Sequence, residues 1–135
     1  MKIFMSSHGH LASGMMNTLK ILYGCNPNIT VFDAYIDEHS VQEKLEEFFR
    51  GTEDDDEVLL LSDLYGGSVN QAMYLWLTRP HTRLVTGINL AFLLGLADHE
   101  SINDEELGKL IEESRAMLRQ VKLEEETEDK DDDFF

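Results

Sequence analysis

The chain has 135 residues, 42% apolar and 28% charged, which suits one domain with a buried core and excludes a disordered chain. A formal charge of −16 argues against nucleic acid or an anionic membrane as partner and favours a basic protein surface. No apolar run reaches the roughly 18–20 residues that cross a bilayer, and the lone Cys25 excludes an internal disulfide and suits a reducing cytosol.

In chain order, short apolar runs alternate with helical patterns, the sign of a parallel α/β sheet. Met1-Lys2-Ile3-Phe4 is too short an apolar start for a signal peptide, so a cytoplasmic location is expected. Ile3-Phe4-Met5 predicts the first strand, and Leu11, Met15, Leu19, Leu22 and Tyr23 recur at helical spacing until Gly24 and Pro27. Cys25, at the expected end of that helix, reads as buried or without special role. Ile29 to Ala34 is a second strand; Val41, Leu45, Phe48 and Phe49 mark a second helix, stopped by Gly51. Val58 to Leu61, apolar throughout, predicts a central strand covered on both faces.

A third helix carries Val69, Ala72, Met73, Trp76 and Leu77 and ends before Pro80. Leu84-Val85-Thr86 predicts a fourth strand, followed by Gly87 and a short apolar helix over Asn89–Leu96. The last helix carries Leu107, Leu110, Ile111, Met117, Leu118 and Val121, with Asn103 or Asp104 as its cap. Met5, Met15, Met16, Met73 and Trp76 are expected in the core. Residues 124–135 hold eight acids against Lys130 and are expected to form a disordered tail after a domain over residues 1–123.

The predicted fold is a flavodoxin-like open parallel sheet, strand order 2-1-3-4, with helices on both faces. In that order the turns after the first and third strands meet over one crevice at the topological switch point. One turn is Ser6-Ser7-His8-Gly9-His10 and the other is Asp63-Leu64-Tyr65-Gly66-Gly67-Ser68. The topology therefore brings His8 and Asp63 together. A carboxylate on one imidazole nitrogen keeps that nitrogen protonated and leaves the other with a nucleophilic lone pair. Gly66-Gly67-Ser68 opens the third helix, where free N–H groups form an anion site. The Ser68 hydroxyl is expected either to cap that helix or to donate to a phosphate. His39, His81 and His99 are isolated and read as structural or solvated.

With these segments the chain resembles the IIA component of the mannose family (mannose/fructose/sorbose type) of the bacterial phosphoenolpyruvate-dependent sugar phosphotransferase system. Gly87-Ile88-Asn89-Leu90 resembles that family's Gly-Val-Asn turn, and the similarity covers roughly residues 1–120. Val69 and Ala91 stand where the family commonly has proline, and there is no fused IIB domain, so a separate subunit is expected. The resemblance implies that His8 accepts phosphate from phospho-HPr and passes it to a IIB component, without metal or bound cofactor. It implies that Asp63 orients the His8 ring and that Gly66, Gly67 and Ser68 help to hold the phosphate, with Ser7, Gly9 and His10 at the rim or in support. A homodimer, indirectly associated with membrane IIC and IID subunits, is also implied.

Three other readings use the same residues. The phosphoryl-transfer subunit of a dihydroxyacetone kinase resembles the same fold and motifs. A receiver domain would carry phosphate on Asp63, but Ser6-Ser7-His8 stands where its metal-holding acids belong. A hydrolase triad of Ser68, His8 and Asp63 lacks the Gly-x-Ser-x-Gly elbow.

Overall fold

The computed structural model describes residues 1–123; residues 124–135, where the acidic tail is expected, lie outside the described residues. In chain order the elements are β1 (Lys2–His8), α1 (Leu11–Leu22), β2 (Ile29–Ala34), α2 (Val41–Arg50), β3 (Val58–Ser62), α3 (Ser68–Tyr74), β4 (Thr82–Thr86), α4 (Leu90–Leu96) and α5 (Asp104–Arg115). Among the described residues, four strands pair in parallel in the order β2-β1-β3-β4, as the sequence predicts. Right-handed crossovers explain the layering. The step from β1 to β2 runs one way along the sheet and puts α1 on one face. The two steps the other way put α2 and α3 on the opposite face.

Strand side chains alternate between faces, so the sheet divides the core in two. Ile3, Met5, Leu59 and Leu61 pack with α1, α4 and α5 through Ala12, Met16, Leu19, Phe92, Leu93 and Leu107. Phe4, Val58 and Leu60 pack with α2 and α3 through Val41, Leu45, Phe49, Val69 and Met73. The whole of β3 is buried, which accounts for its unbroken apolar run. Asn103 caps α5 in a reciprocal box with Glu106, and Ser40 does the same for α2 with Glu43.

Five details differ from the sequence reading. Strand β1 extends through Ser6 and Ser7 to His8, because both serines are buried and hydrogen-bonded. The buried stripe of α1 is Ala12, Met16 and Leu19, while Leu11, Leu22 and Tyr23 are exposed. Ser7 Oγ accepts the Ala12 N–H at 2.7 Å and turns that small residue toward the sheet. Helix α3 stops at Tyr74 and tightens into a 3-10 turn over Leu75–Thr78, with Trp76 half-buried against Phe49 at a 4.1 Å ring separation. Helix α5 ends at Arg115, leaving Met117, Leu118 and Val121 exposed. There the Ser114 carbonyl accepts Asn89 Nδ2 at 2.8 Å, and the chain closes with tighter bonds from Met117 and Leu118 to Ser114 and Arg115. Cys25 is exposed rather than buried, because α1 ends at Leu22 and the chain loops outward before β2.

Truncating Leu60, which has no exposed surface, should therefore cost far more than truncating Leu118, which is 90% exposed. Urea unfolding should show Leu60→Ala lowering stability by about 2–5 kcal/mol, with Leu118→Ala within about 0.5 kcal/mol of the parent.

Candidate functional site

Alternation along β1 places His8 on the α3 side of the sheet, with Phe4 and Ser6, and Ser7 on the α1 side. His8 is the last residue of the strand and is paired in register with Ala34. Gly9 follows at φ +63, and its N–H donates to the Ala34 carbonyl at 2.8 Å. That left-handed residue turns the chain directly into α1 and leaves His8 at the strand tip.

Asp63 follows β3, the neighbour of β1, and its Oδ2 accepts two hydrogen bonds from His8. One comes from the backbone N–H and one from the ring Nδ1, each at 2.9 Å. The Nδ1 proton is thereby held, and Nε2 is left with the lone pair. The Asp63 side chain is 11% exposed and that of His8 is 44% exposed, so a recessed acid supports an open ring. Burial pushes the Asp63 carboxyl up, but the His8 N–H, the His8 ring, the carboxyl's own backbone N–H and the imidazole charge outweigh it. The net effect holds Asp63 below the usual carboxylate range. Asp63 Oδ1 is buried and accepts no hydrogen bond from the described residues.

Gly66, at φ +77, and Gly67 lead into α3. A Cβ on Gly67 would lie 3.3 Å from the Leu64 carbonyl and 3.4 Å from His8 Cε1, so a bare residue there lets the ring sit against the helix start. Gly67 is the cap residue, and no side chain among the described residues caps this helix. Ser68 stands just inside it, with Oγ 3.4 Å from His8 Nε2. His8, Asp63, Gly67 and Ser68 thus come together at one point.

Ser7, Gly9 and His10 occupy different places. Ser7 is buried on the opposite face and caps Ala12, and Gly9 forms the turn. His10 is largely exposed, with Nδ1 3.0 Å from Asp33 Oδ2. Asp33 also accepts the Ser13 N–H at 3.0 Å and the Ser13 hydroxyl at 2.6 Å. Burial pushes its carboxyl up, while Ser13 and His10 pull it below the usual range. The start of α1 is therefore occupied by protein groups, and the start of α3 has no such cap.

Sequence reasoning missed Tyr35. Its ring stacks on His8 with centroids 5.2 Å apart and planes 25° apart, and its hydroxyl hydrogen-bonds Ser68 Oγ. The one available signal was its position directly after the strand that neighbours β1. Asp33, inside β2, was missed as well. Around the site, Leu11, Ile36, Leu64 and Tyr65 are exposed. Grooves of 450, 530 and 580 Å³ lie along β2 and beside the turn from β4 to α4, and none of them includes His8. Among the described residues, no three His, Cys, Asp or Glu side chains gather as a metal ion would require.

Comparisons with known proteins agree with this architecture. A sequence-family model described as PTS system fructose IIA component matches residues 2–115. None of the curated proteins matches the chain by sequence. Among solved structures, a mannose/sorbose-specific IIA subunit from Enterococcus faecalis is similar at TM-score 0.78 and 25% identity, over 93% of this chain and 98% of that one. A PTS IIA protein associated with the fucose utilization operon of Streptococcus pneumoniae is similar at 0.72 and 25%, over 91% and 94%. A Klebsiella pneumoniae protein described as a sugar phosphotransferase system permease shares the fold at 0.81 and 24% identity, over 88% and 89%. With the family match spanning most of its length, the chain belongs to the PTS fructose IIA component family, the mannose-type group that its two turn motifs resemble.

Proposed function

We propose that this IIA component carries phosphate on Nε2 of His8, taking it from phospho-HPr and passing it to a IIB component during sugar uptake. The observation that carries the reading is the double hydrogen bond from His8 to Asp63 Oδ2. It holds the proton on Nδ1 and leaves the lone pair on Nε2, on a ring that is 44% exposed. In the transfer, the Nε2 lone pair attacks phosphorus in line as the donor's phosphorus–nitrogen bond breaks. The His8 ring becomes cationic, and the ionised Asp63 beside Nδ1 stabilises that charge. The uncapped start of α3 and the Ser68 hydroxyl are donors for the phosphoryl oxygens.

The setting supports a protein donor and a protein acceptor rather than a small substrate. The His8 side chain is 44% exposed at the strand tip, and none of the three grooves described above includes it. The charge of −16 favours a basic face on the donor, which would speed encounter at low salt. The family and its solved relatives are sugar phosphotransferase IIA components, which favours a IIB acceptor over a dihydroxyacetone kinase subunit. No helix among the described residues is long and apolar enough to cross a membrane. We place the chain in the cytoplasm as a homodimer that reaches the membrane IIC and IID subunits through its IIB partner.

One observation favours a second reading. Ser68 Oγ, His8 and Asp63 are in the order of a hydrolytic triad. A serine-reactive phosphonate separates the two: a carrier stays unlabelled and active, whereas a hydrolase is modified at Ser68.

Incubation with phosphoenolpyruvate, enzyme I and HPr should label the parent chain on His8 by mass mapping, with an acid-labile, base-stable phosphate. His8→Ala should take up none; full labelling of that variant would refute the assignment. Asp63→Asn should slow transfer by at least about a hundredfold, since the amide no longer fixes the ring's tautomer.

The lowered Asp63 pKa also sets a pH dependence for stability. A carboxyl held below its unfolded value of about 3.9 contributes stability that is complete above that pH and lost as the pH falls through the folded value. The stability gap between the parent and Asp63→Asn should therefore be widest near neutrality and narrow below about pH 4. Denaturant titrations at pH 7 and pH 3 measure it, and a gap that widens in acid would contradict the pairing.

A further inference from the structure

We infer that Tyr35 is a positioning residue for the phosphoryl transfer, holding the His8 ring and aligning the Ser68 hydroxyl on Nε2. The inference rests on the reading that His8 carries the phosphate. Three independent observations converge on Tyr35. Its ring lies stacked on the imidazole, with centroids 5.2 Å apart. Its hydroxyl bonds Ser68 Oγ, which in turn faces His8 Nε2 at 3.4 Å. Its backbone sits at φ +67, a left-handed conformation unfavourable for a bulky residue.

Burial does not explain that conformation, because Tyr35 is 61% exposed. Geometry does. Ala34, the last residue of β2, is level with His8 in the sheet register. The chain must bend immediately after it to bring the next side chain over the imidazole, and the left-handed turn accomplishes this. A strained residue with little buried surface, laid across a reactive ring, is better explained by the site than by the fold.

The hydrogen bonds have one consistent direction. Nδ1–H donates to Asp63, so Nε2 must accept. The Ser68 hydroxyl donates to it, and Ser68 Oγ then accepts from the Tyr35 hydroxyl. The chain runs Tyr35 to Ser68 to His8 to Asp63. When Nε2 uses its lone pair to form the new phosphorus–nitrogen bond, the donor's phosphorus–nitrogen bond breaks and its electron pair stays on the donor ring. No proton leaves His8. The Ser68 hydroxyl loses its acceptor and turns to a phosphoryl oxygen, while Tyr35 continues to donate to Ser68 Oγ. Tyr35 thus acts on the transfer through Ser68 and through the ring it stacks on.

The test compares the full parent chain with Tyr35→Phe and Tyr35→Gly, using phospho-HPr as donor. It follows transfer kinetics, the lifetime of the phosphohistidine once donor is removed, and thermal unfolding. Tyr35→Phe keeps the stack and loses the hydroxyl. Its kcat should fall about tenfold with KM unchanged, the worth of one charge-assisted hydrogen bond. Tyr35→Gly removes both contacts, so its transfer should be slower still. Its melting temperature should be no lower than the parent's, because glycine accepts φ +67 without strain. A residue of purely structural value would give the reverse, a silent Tyr35→Phe and a less stable Tyr35→Gly. If the parent is labelled on His8 while Tyr35→Phe matches it in rate and phosphohistidine lifetime, the role of Tyr35 is overturned alone. If the parent carries no phosphate on His8, the carrier reading falls and this inference with it.

Discussion

A single carboxylate oxygen, Asp63 Oδ2, joins the tips of the two central strands by accepting both the main-chain and the ring N–H of His8. The two residues are 55 positions apart in the chain. They meet because β1 and β3 are neighbours whose following helices leave on opposite faces. Taking an acid this far from water disfavours its ionised form. The donors from His8, together with the acid's own backbone N–H, more than offset that tendency. The second oxygen is buried and has no hydrogen-bond partner among the described residues.

The polar groups around this link are sorted by face. On the α1 side, Ser7 and Asp33 satisfy the first amides of the helix, so its positive end is occupied by the protein itself. On the α3 side, two glycines bring the helix start against the imidazole, and no side chain caps it. One helix terminus is therefore closed and the other open, the open one beside the ring nitrogen of His8 that carries the lone pair. This asymmetry follows from side-chain alternation along β1, which sends Ser7 one way and His8 the other.

Much of the architecture was legible because it depends on patterns that sequence carries directly. Apolar runs of strand length, separated by helical periodicities, indicated a parallel α/β sheet, and the flavodoxin-like strand order expected for it put the two polar turns side by side. The unread parts depend on tertiary detail. Leu11 and Ala12 begin two apolar stripes one residue apart, and a hydroxyl from the preceding strand chooses between them. The end of α5 is set by Asn89 reaching the Ser114 carbonyl from another element. Tyr35 reaches His8 only through a left-handed backbone angle that nothing in the residue type announces.

The main-chain half of the link has a consequence for inheritance and engineering. Because one of the two bonds to Asp63 comes from a peptide amide, it is available with any residue except proline at position 8. A chain disarmed there retains half the tether and all of the surrounding surface. On the proposed carrier role, it would occupy a relay protein while accepting no cargo from it, and so act as a decoy that lowers flux through intact copies in the same cell.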